Sequence, residues 1–173
     1  EKMSYLEYEM PTKEGIVIAE SYNYNSEYIY RVSKYNEEAP NAHIIESIKN
    51  SLPLWTTRPT IETVKERFQN GSFVMYQYFK GELSGWFWLN SEFTHDWIDT
   101  KPLPKPNSIY IGGMYKCLDQ KLPADAAMDF GSYVMKYCCE NYEYLYAIIE
   151  PWNKASVRVF KDYQKFILKE SFI

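Results

Sequence analysis

The chain has 173 residues, a formal net charge of -4 and a hydrophobic content of 46%. That suits one domain spanning 1–173 with a core of its own; it is short for two domains and too apolar for a disordered chain. Lys and Arg are scattered with no basic stripe, which disfavours a nucleic-acid partner, while an acidic surface is compatible with a cationic or amine substrate.

Residues 15–22 (GIVIAESY) read as a first strand. Asn25 and Ser26 then supply cap chemistry for a helix over 27–35. Pro40 and Asn41 break that pattern. Residues 42–51 place Ile44, Ile45 and Ile48 on one helical face, and Pro53 ends the helix. Pro59 and Thr60 open a short helix over 61–69 with Ile61, Val64 and Phe68 as its stripe, and Asn70-Gly71 makes a turn. Strands follow at 72–79 and 83–89, joined by the short loop Lys80-Gly81-Glu82. The stretch 92–107 reads as an extended loop, because Pro102, Pro104 and Pro106 alternate through it.

Residues 108–117 (SIYIGGMYKC) are the strongest candidate for a buried strand. Gly112 and Gly113 inside it mark a bulge or a close backbone approach. Pro123 fits the first turn of a helix running to about Asn141. Its apolar stripe is Ala127, Gly131, Val134 and Cys138. Residues 144–149 (YLYAII) form a continuous apolar strand, Pro151 and Asn153 start a helix over 154–163, and 166–173 is a closing strand. The strand–helix–strand run over 108–149 implies a right-handed crossover and a parallel pair. The fold class is therefore α/β: a twisted mixed sheet of about six or seven strands with helices on both faces.

Three cysteines, Cys117, Cys138 and Cys139, follow no disulfide or metal spacing. They point to a reducing compartment, here the cytoplasm, and to no metal. No apolar run approaches the ~20 residues of a membrane span, and no leader pattern opens the chain.

This order of elements resembles the GNAT superfamily of N-acetyltransferases over nearly the whole chain. The sharpest local match is Asn153-Lys-Ala-Ser156, followed by Phe160 and Phe166, directly after the strand YLYAII and Glu150-Pro151-Trp152. The resemblance implies that Asn153 bonds the pantetheine arm of an acyl-CoA donor; a plain helix cap explains the same residue. It also implies that the glycine-bearing strand splays from its parallel neighbour. Its main-chain groups at Tyr115, Lys116 and Cys117 would then pair with the arm.

The family's pyrophosphate loop aligns with Phe130, Gly131 and Ser132, and there the chain departs from the pattern. Ala126 stands at the Arg/Gln position, Asp129 at the first Gly position, and only Gly131 fits. Asp125 and Asp129 suit a helix start, but close to a pyrophosphate each would cost about a few kcal/mol, partly offset by Lys116 and Lys121.

Acyl transfer needs a base for the amine, a donor for the oxyanion and an acid for the leaving thiolate. Glu150, at the carboxyl end of a central strand, and His95 in the long loop are the base candidates, and the strand-end position favours Glu150. His95 beside Asp96 reads as a solvated loop histidine, and His43 as a helix-surface residue. The resemblance puts a Tyr acid where Phe160 stands; Tyr163, one turn along, is the substitute, with a packed aromatic as the bland alternative. Cys117 is either a nucleophile activated by Lys116 or Lys121 or an inert buried thiol. Tyr76, Tyr78, Trp86, Trp88 and Trp97 either line an acceptor pocket or pack a core.

The sequence thus points to an acyl-CoA-dependent N-acyltransferase, with acetyl-CoA or another acyl-CoA as cosubstrate. The acceptor would be an amine of a small molecule or peptide. The alternative is a catalytically inactive domain of the same fold that binds a ligand or a protein; a homodimer is compatible with either reading. A nucleic-acid-modifying acyltransferase ranks below both.

Overall fold

Phe73 to Phe79 and Glu82 to Asn90 alternate two sets of side chains. Phe73, Met75, Phe87 and Leu89 join one core, whereas Val74, Tyr76, Trp86 and Trp88 pack with Phe68 on the other side. That period-2 pattern builds an antiparallel hairpin, β3 (Phe73–Phe79) and β4 (Glu82–Asn90), with Met75 facing Phe87 and Tyr76 facing Trp86. Lys80 and Gly81 turn it with φ of 51° and 78°, the doubly positive geometry that matches strand twist.

The computed structural model describes residues 5–33, 66, 68–95, 98–116, 121–149 and 151–172. In chain order the remaining elements are β1 (Tyr5–Pro11), α1 (Thr12–Ser21), β2 (Tyr28–Ser33), β5 (Glu92–His95), β6 (Ile98–Pro102), β7 (Ser108–Lys116), α2 (Ala126–Asn141), β8 (Tyr144–Ile149), α3 (Lys154–Val157) and β9 (Ile167–Phe172). The main sheet has seven strands in the order β2-β3-β4-β7-β8-β1-β9. Only β7 and β8 run parallel; the other neighbours are antiparallel. Phe130, Val134, Met135 and Cys138 of α2 pack on one face, with Phe160 and Phe166. On the other face Phe68, from a described helical stretch, meets Trp88.

Three expectations are corrected. Residues 15–22 are not a strand: 12–21 form α1, following β1. Gly15 and Ala19 lie one turn apart, and a Cβ on Gly15 would stand 3.0 Å from both Cys139 Sγ and Met135 Cε of α2. Close helix–helix packing outweighs the strand preference of Ile16, Val17 and Ile18. Residues 28–33 are β2 rather than a helix, because Asn25 Oδ1 accepts the Glu27 N–H at 2.9 Å in a local turn instead of capping a helix. Residues 92–102 fold as the two-stranded β5–β6 sheet, with Phe93 packed edge-on to Tyr110 and Tyr146. The helix expected over 42–51 lies outside the described residues; of 61–69, Glu66, Phe68 and Gln69 are described and helical.

The β1 side chains divide between the two faces. Tyr8 and Met10 enter the helical core, while Glu7 and Glu9 are buried on the opposite face. Glu9 accepts hydrogen bonds from Lys105 Nζ at 2.9 Å and from the Tyr146 hydroxyl at 2.7 Å. Burial pushes its carboxyl up, but these two bonds and the lysine charge together hold it below its ordinary 4.5. A depressed carboxylate contributes stability above its unfolded value and loses it as pH falls through the folded one. The melting temperature is expected to drop on acidification below about pH 4.5, and Glu9→Gln to flatten that drop; an unchanged acid limb in calorimetry would count against this role.

Candidate functional site

The parallel pair β7–β8 is joined only at Ser108–Tyr144, Ile109–Leu145 and Tyr110–Tyr146. Both strands run on past that point, β7 to Lys116 and β8 to Ile149. On its other edge β7 stays paired with β4 through Lys116. There Phe87 faces Met114 and Leu89 faces Ile111, so β7 holds one more residue than β4 across this interval. The extra residue is a bulge at Gly112-Gly113, which bends β7 away from β8. A Cβ on Gly112 would lie 2.8 Å from Asn90 Nδ2 and 3.1 Å from the Trp88 carbonyl oxygen, so this approach requires glycine.

A cavity of about 480 Å³ fills the wedge, a volume typical of small-molecule sites. Ile111 and Gly112 form one wall, and Ala147, Ile148 and Ile149 the facing one. Ala124, Ala127, Met128 and Gly131 of the α2 region close it on a third side. Polar groups are few: Tyr110, Asn153, Ser156 and Gln164.

The two carboxylates expected to face a pyrophosphate are held by partners of their own. Asp125 and Asp129 are not among the cavity walls. Asp129 accepts the Asn25 N–H at 2.8 Å and the Tyr30 hydroxyl, and Asp125 accepts from the Tyr28 hydroxyl at 2.6 Å and Asn25 Nδ2 at 3.2 Å. The bond from Tyr28, then that from Asn25, holds the Asp125 carboxyl below its usual range. Burial and the Asp129 bond push the Tyr30 hydroxyl far above its usual value.

Gly131 lies one turn and more inside α2 rather than in a loop before it. Phe130 is core against Phe87 and Tyr30, and the Ser132 carbonyl accepts the Tyr24 hydroxyl at 3.0 Å. The main-chain amides of these three residues are therefore within the helix. Its open end lies earlier: Ala126 N–H goes to the Pro123 carbonyl and Asp129 N–H to that of Asp125. Among the described residues this leaves the N–H groups of Ala127 and Met128 as the open donors of the helix start. Both residues line the cavity.

Asn153 does two things. Its Oδ1 accepts the Ser156 N–H at 3.3 Å as a helix cap, and its side chain lines the cavity beside Ser156 and Phe160. After Val157 the helix widens into a π turn, Arg158–Tyr163, closed by Gln164 N–H on the Val159 carbonyl at 2.8 Å. In an α-helix Tyr163 would sit within about 60° of Phe160; the wider π turn moves it to roughly 115° and leaves Gln164 within about 35°. Accordingly Tyr163 is 38% exposed and off the cavity, while Gln164 is 3% exposed and lines it. Tyr163, expected as an acid, stands away from the cavity.

The main chains of Tyr115 and Lys116 lie on β7 beyond the split, opposite Trp86 and Gly85. Cys117 and Glu150 lie outside the described residues, as does His43; His95 is on β5. Trp86, Trp88 and Tyr76 are buried core, which settles their bland reading. Burial pushes the Cys139 thiol up to about 12 and the Cys138 thiol well above its usual value, so neither is a ready nucleophile. Among the described residues no group of three His, Cys, Asp or Glu could hold a metal ion, and no helix is long and apolar enough to cross a membrane.

No protein-family model and no curated protein matches the chain. Solved structures do. A GNAT-family protein from Novosphingobium aromaticivorans superposes with a TM-score of 0.60 at 11% identity, covering 98% of this chain and 61% of its own. A tandem GNAT protein from the clavulanic acid biosynthesis pathway gives 0.60 at 10% identity, over 98% of this chain and 51% of that one. An aminoglycoside acetyltransferase from an uncultured soil metagenomic sample gives 0.51 at 10% identity, over 80% and 88%. The chain thus spans about half to three fifths of the length of the first two. Splayed parallel strands, the glycine bulge and these superpositions agree: the chain has the fold of the GNAT N-acetyltransferases.

Proposed function

We propose that the domain transfers an acyl group from a coenzyme A thioester, acetyl-CoA in the simplest case, to an amine of a small molecule or peptide. The observation that carries this reading is the cavity in the β7–β8 wedge, which adjoins both an unpaired strand edge and the open end of a helix. An extended amide-bearing arm can add to the β7 edge near Tyr115 and Lys116. The N–H groups of Ala127 and Met128, with the helix dipole, suit a pyrophosphate. Asn153 sits along the same cavity with its Nδ2 free of any partner among the described residues.

Glu150 remains the proposed base, being next in sequence to Ile149 on the cavity wall. The acid for the leaving thiolate falls to Tyr110 in the crotch of the wedge, since Phe160 has no hydroxyl and Tyr163 faces away. A binding domain without catalysis is the second reading, favoured by Phe160 at the cavity wall. The free thiols support a reducing, cytoplasmic setting.

Titration calorimetry with acetyl-CoA and free coenzyme A is the test. Micromolar binding is expected, weakened about tenfold by Asn153→Ala. No heat and no thermal shift at millimolar ligand would sink the donor assignment. Binding without turnover across a panel of amines would favour the second reading.

A further inference from the structure

Gln164 is nearly fully buried, lines the cavity, and its side chain has no hydrogen-bond partner among the described residues. A carboxamide on the cavity wall leaves its donor and its acceptor open to a group that arrives from the cavity. Four residues after Phe160, Gln164 shares that residue's face of the helix, and the π turn keeps it there while carrying Tyr163 off the cavity; such turns tend to mark functional sites. Its Nε2 lies 3.9 Å from the Cβ position of Gly131, across the cavity from the strand walls.

Resting on the thioester-donor reading, we infer that Gln164 is the positioning residue for the donor arm, its carboxamide pairing with an amide of the pantetheine. The placement decides which part of the donor it meets. The open amides at Ala127 and Met128 mark the anion end. Gly131 lies three to four residues deeper along α2, roughly 4.5–6 Å further in. The stretch of coenzyme A reached there, between pyrophosphate and thiol, is the part that carries amides. A carboxamide offers both a donor and an acceptor, which matches a secondary amide. Asn153 and Gln164, one from each end of the last helical segment, thereby bracket the arm while the surrounding wall stays apolar.

Three probes separate the alternatives: coenzyme A, pantetheine, and adenosine 3′,5′-bisphosphate, titrated into wild type, Gln164→Leu and Gln164→Glu. Gln164→Leu keeps most of the buried volume, and the backbone bond of Gln164 to Val159 does not involve the side chain. Expected is a loss of about tenfold for coenzyme A and pantetheine with the adenosine bisphosphate unchanged. Gln164→Glu, which removes the N–H donor and adds a charge, is expected to lose at least as much. Wild type that binds none of the probes overturns the donor reading itself. Wild-type binding of coenzyme A that Gln164→Leu leaves intact, or weakens equally for all three probes, overturns the role of Gln164 alone.

Discussion

Gly112→Val is expected to abolish donor binding and to lower the melting temperature by roughly 5–10 °C, with Gly112→Ala showing a smaller loss of both. Even a single Cβ meets Asn90 Nδ2 at 2.8 Å, Trp88 Cβ at 3.1 Å and the Trp88 carbonyl oxygen at 3.1 Å. The Asn90 amide can swing aside, but the Trp88 carbonyl belongs to β4 and moves only with the strand. Overpacking of this kind costs typically about 1–3 kcal/mol. The relief available is to straighten the bulge, and that re-pairs β7 with β8 and closes the wedge. Stability and binding should therefore fall together. Gly131→Ala is the control. Its Cβ meets only Gln164 Nε2, at an ordinary 3.9 Å, inside a helix where Ala is preferred over Gly by about 1 kcal/mol. A melting temperature raised by a few degrees is the expected result. Equal behaviour of Gly112→Val and wild type in both measurements would remove the bulge from the explanation.

The two glycines also mark how far the sequence could be read. Gly112 was legible because glycine interrupts an otherwise apolar strand, and the bulge is there. Gly131 stands where the resemblance puts a donor loop, but it also belongs to the apolar stripe of the helix expected from Pro123, and the structure holds it inside α2. The strands β3, β4, β7 and β8 were legible because each carries an unbroken apolar or alternating pattern over its own length. The first 33 residues were not. In α1 the small residue Gly15 matters for its close approach to Met135 and Cys139, which lie more than 100 positions away. In β2 the alternation of Tyr28, Tyr30 and Val32 was present, but Asn25-Ser26 read as a helix cap. The site divides the same way. Asn153 follows a strand end and could be found. Gln164, four residues after Phe160, shares a helical face with it and was open to reading; what leaves no periodic trace is the π turn that moves Tyr163 off the cavity.

Asp129→Ala is expected to be among the most damaging single changes, costing about 2–4 kcal/mol, or roughly 6–12 °C in melting temperature. The residue is 0% exposed, and its carboxylate accepts from the Asn25 N–H and the Tyr30 hydroxyl. Tyr22 also feels it: burial first, then the Asp129 charge, raises that phenol. Truncation would leave the part-buried Asn25 amide and Tyr30 hydroxyl without their acceptor. Tyr30 keeps only the bond it receives from Gln77 Nε2 at 3.1 Å. Tyr30→Phe removes one partner and leaves the other, so about 1–2 kcal/mol is expected from it alone. If the two act as one network, the double variant loses less than the sum of the singles; strict additivity would mean that the Tyr30–Asp129 bond contributes nothing. The consequence reaches the cavity. These bonds tie the first turns of α2 to β2 and its approach, and those same turns present the Ala127 and Met128 amides. Weaker coenzyme A binding in Asp129→Ala below its melting point would show that the carboxylates near the helix start serve the anion site by anchoring it. Stronger binding would show that they repel the donor after all.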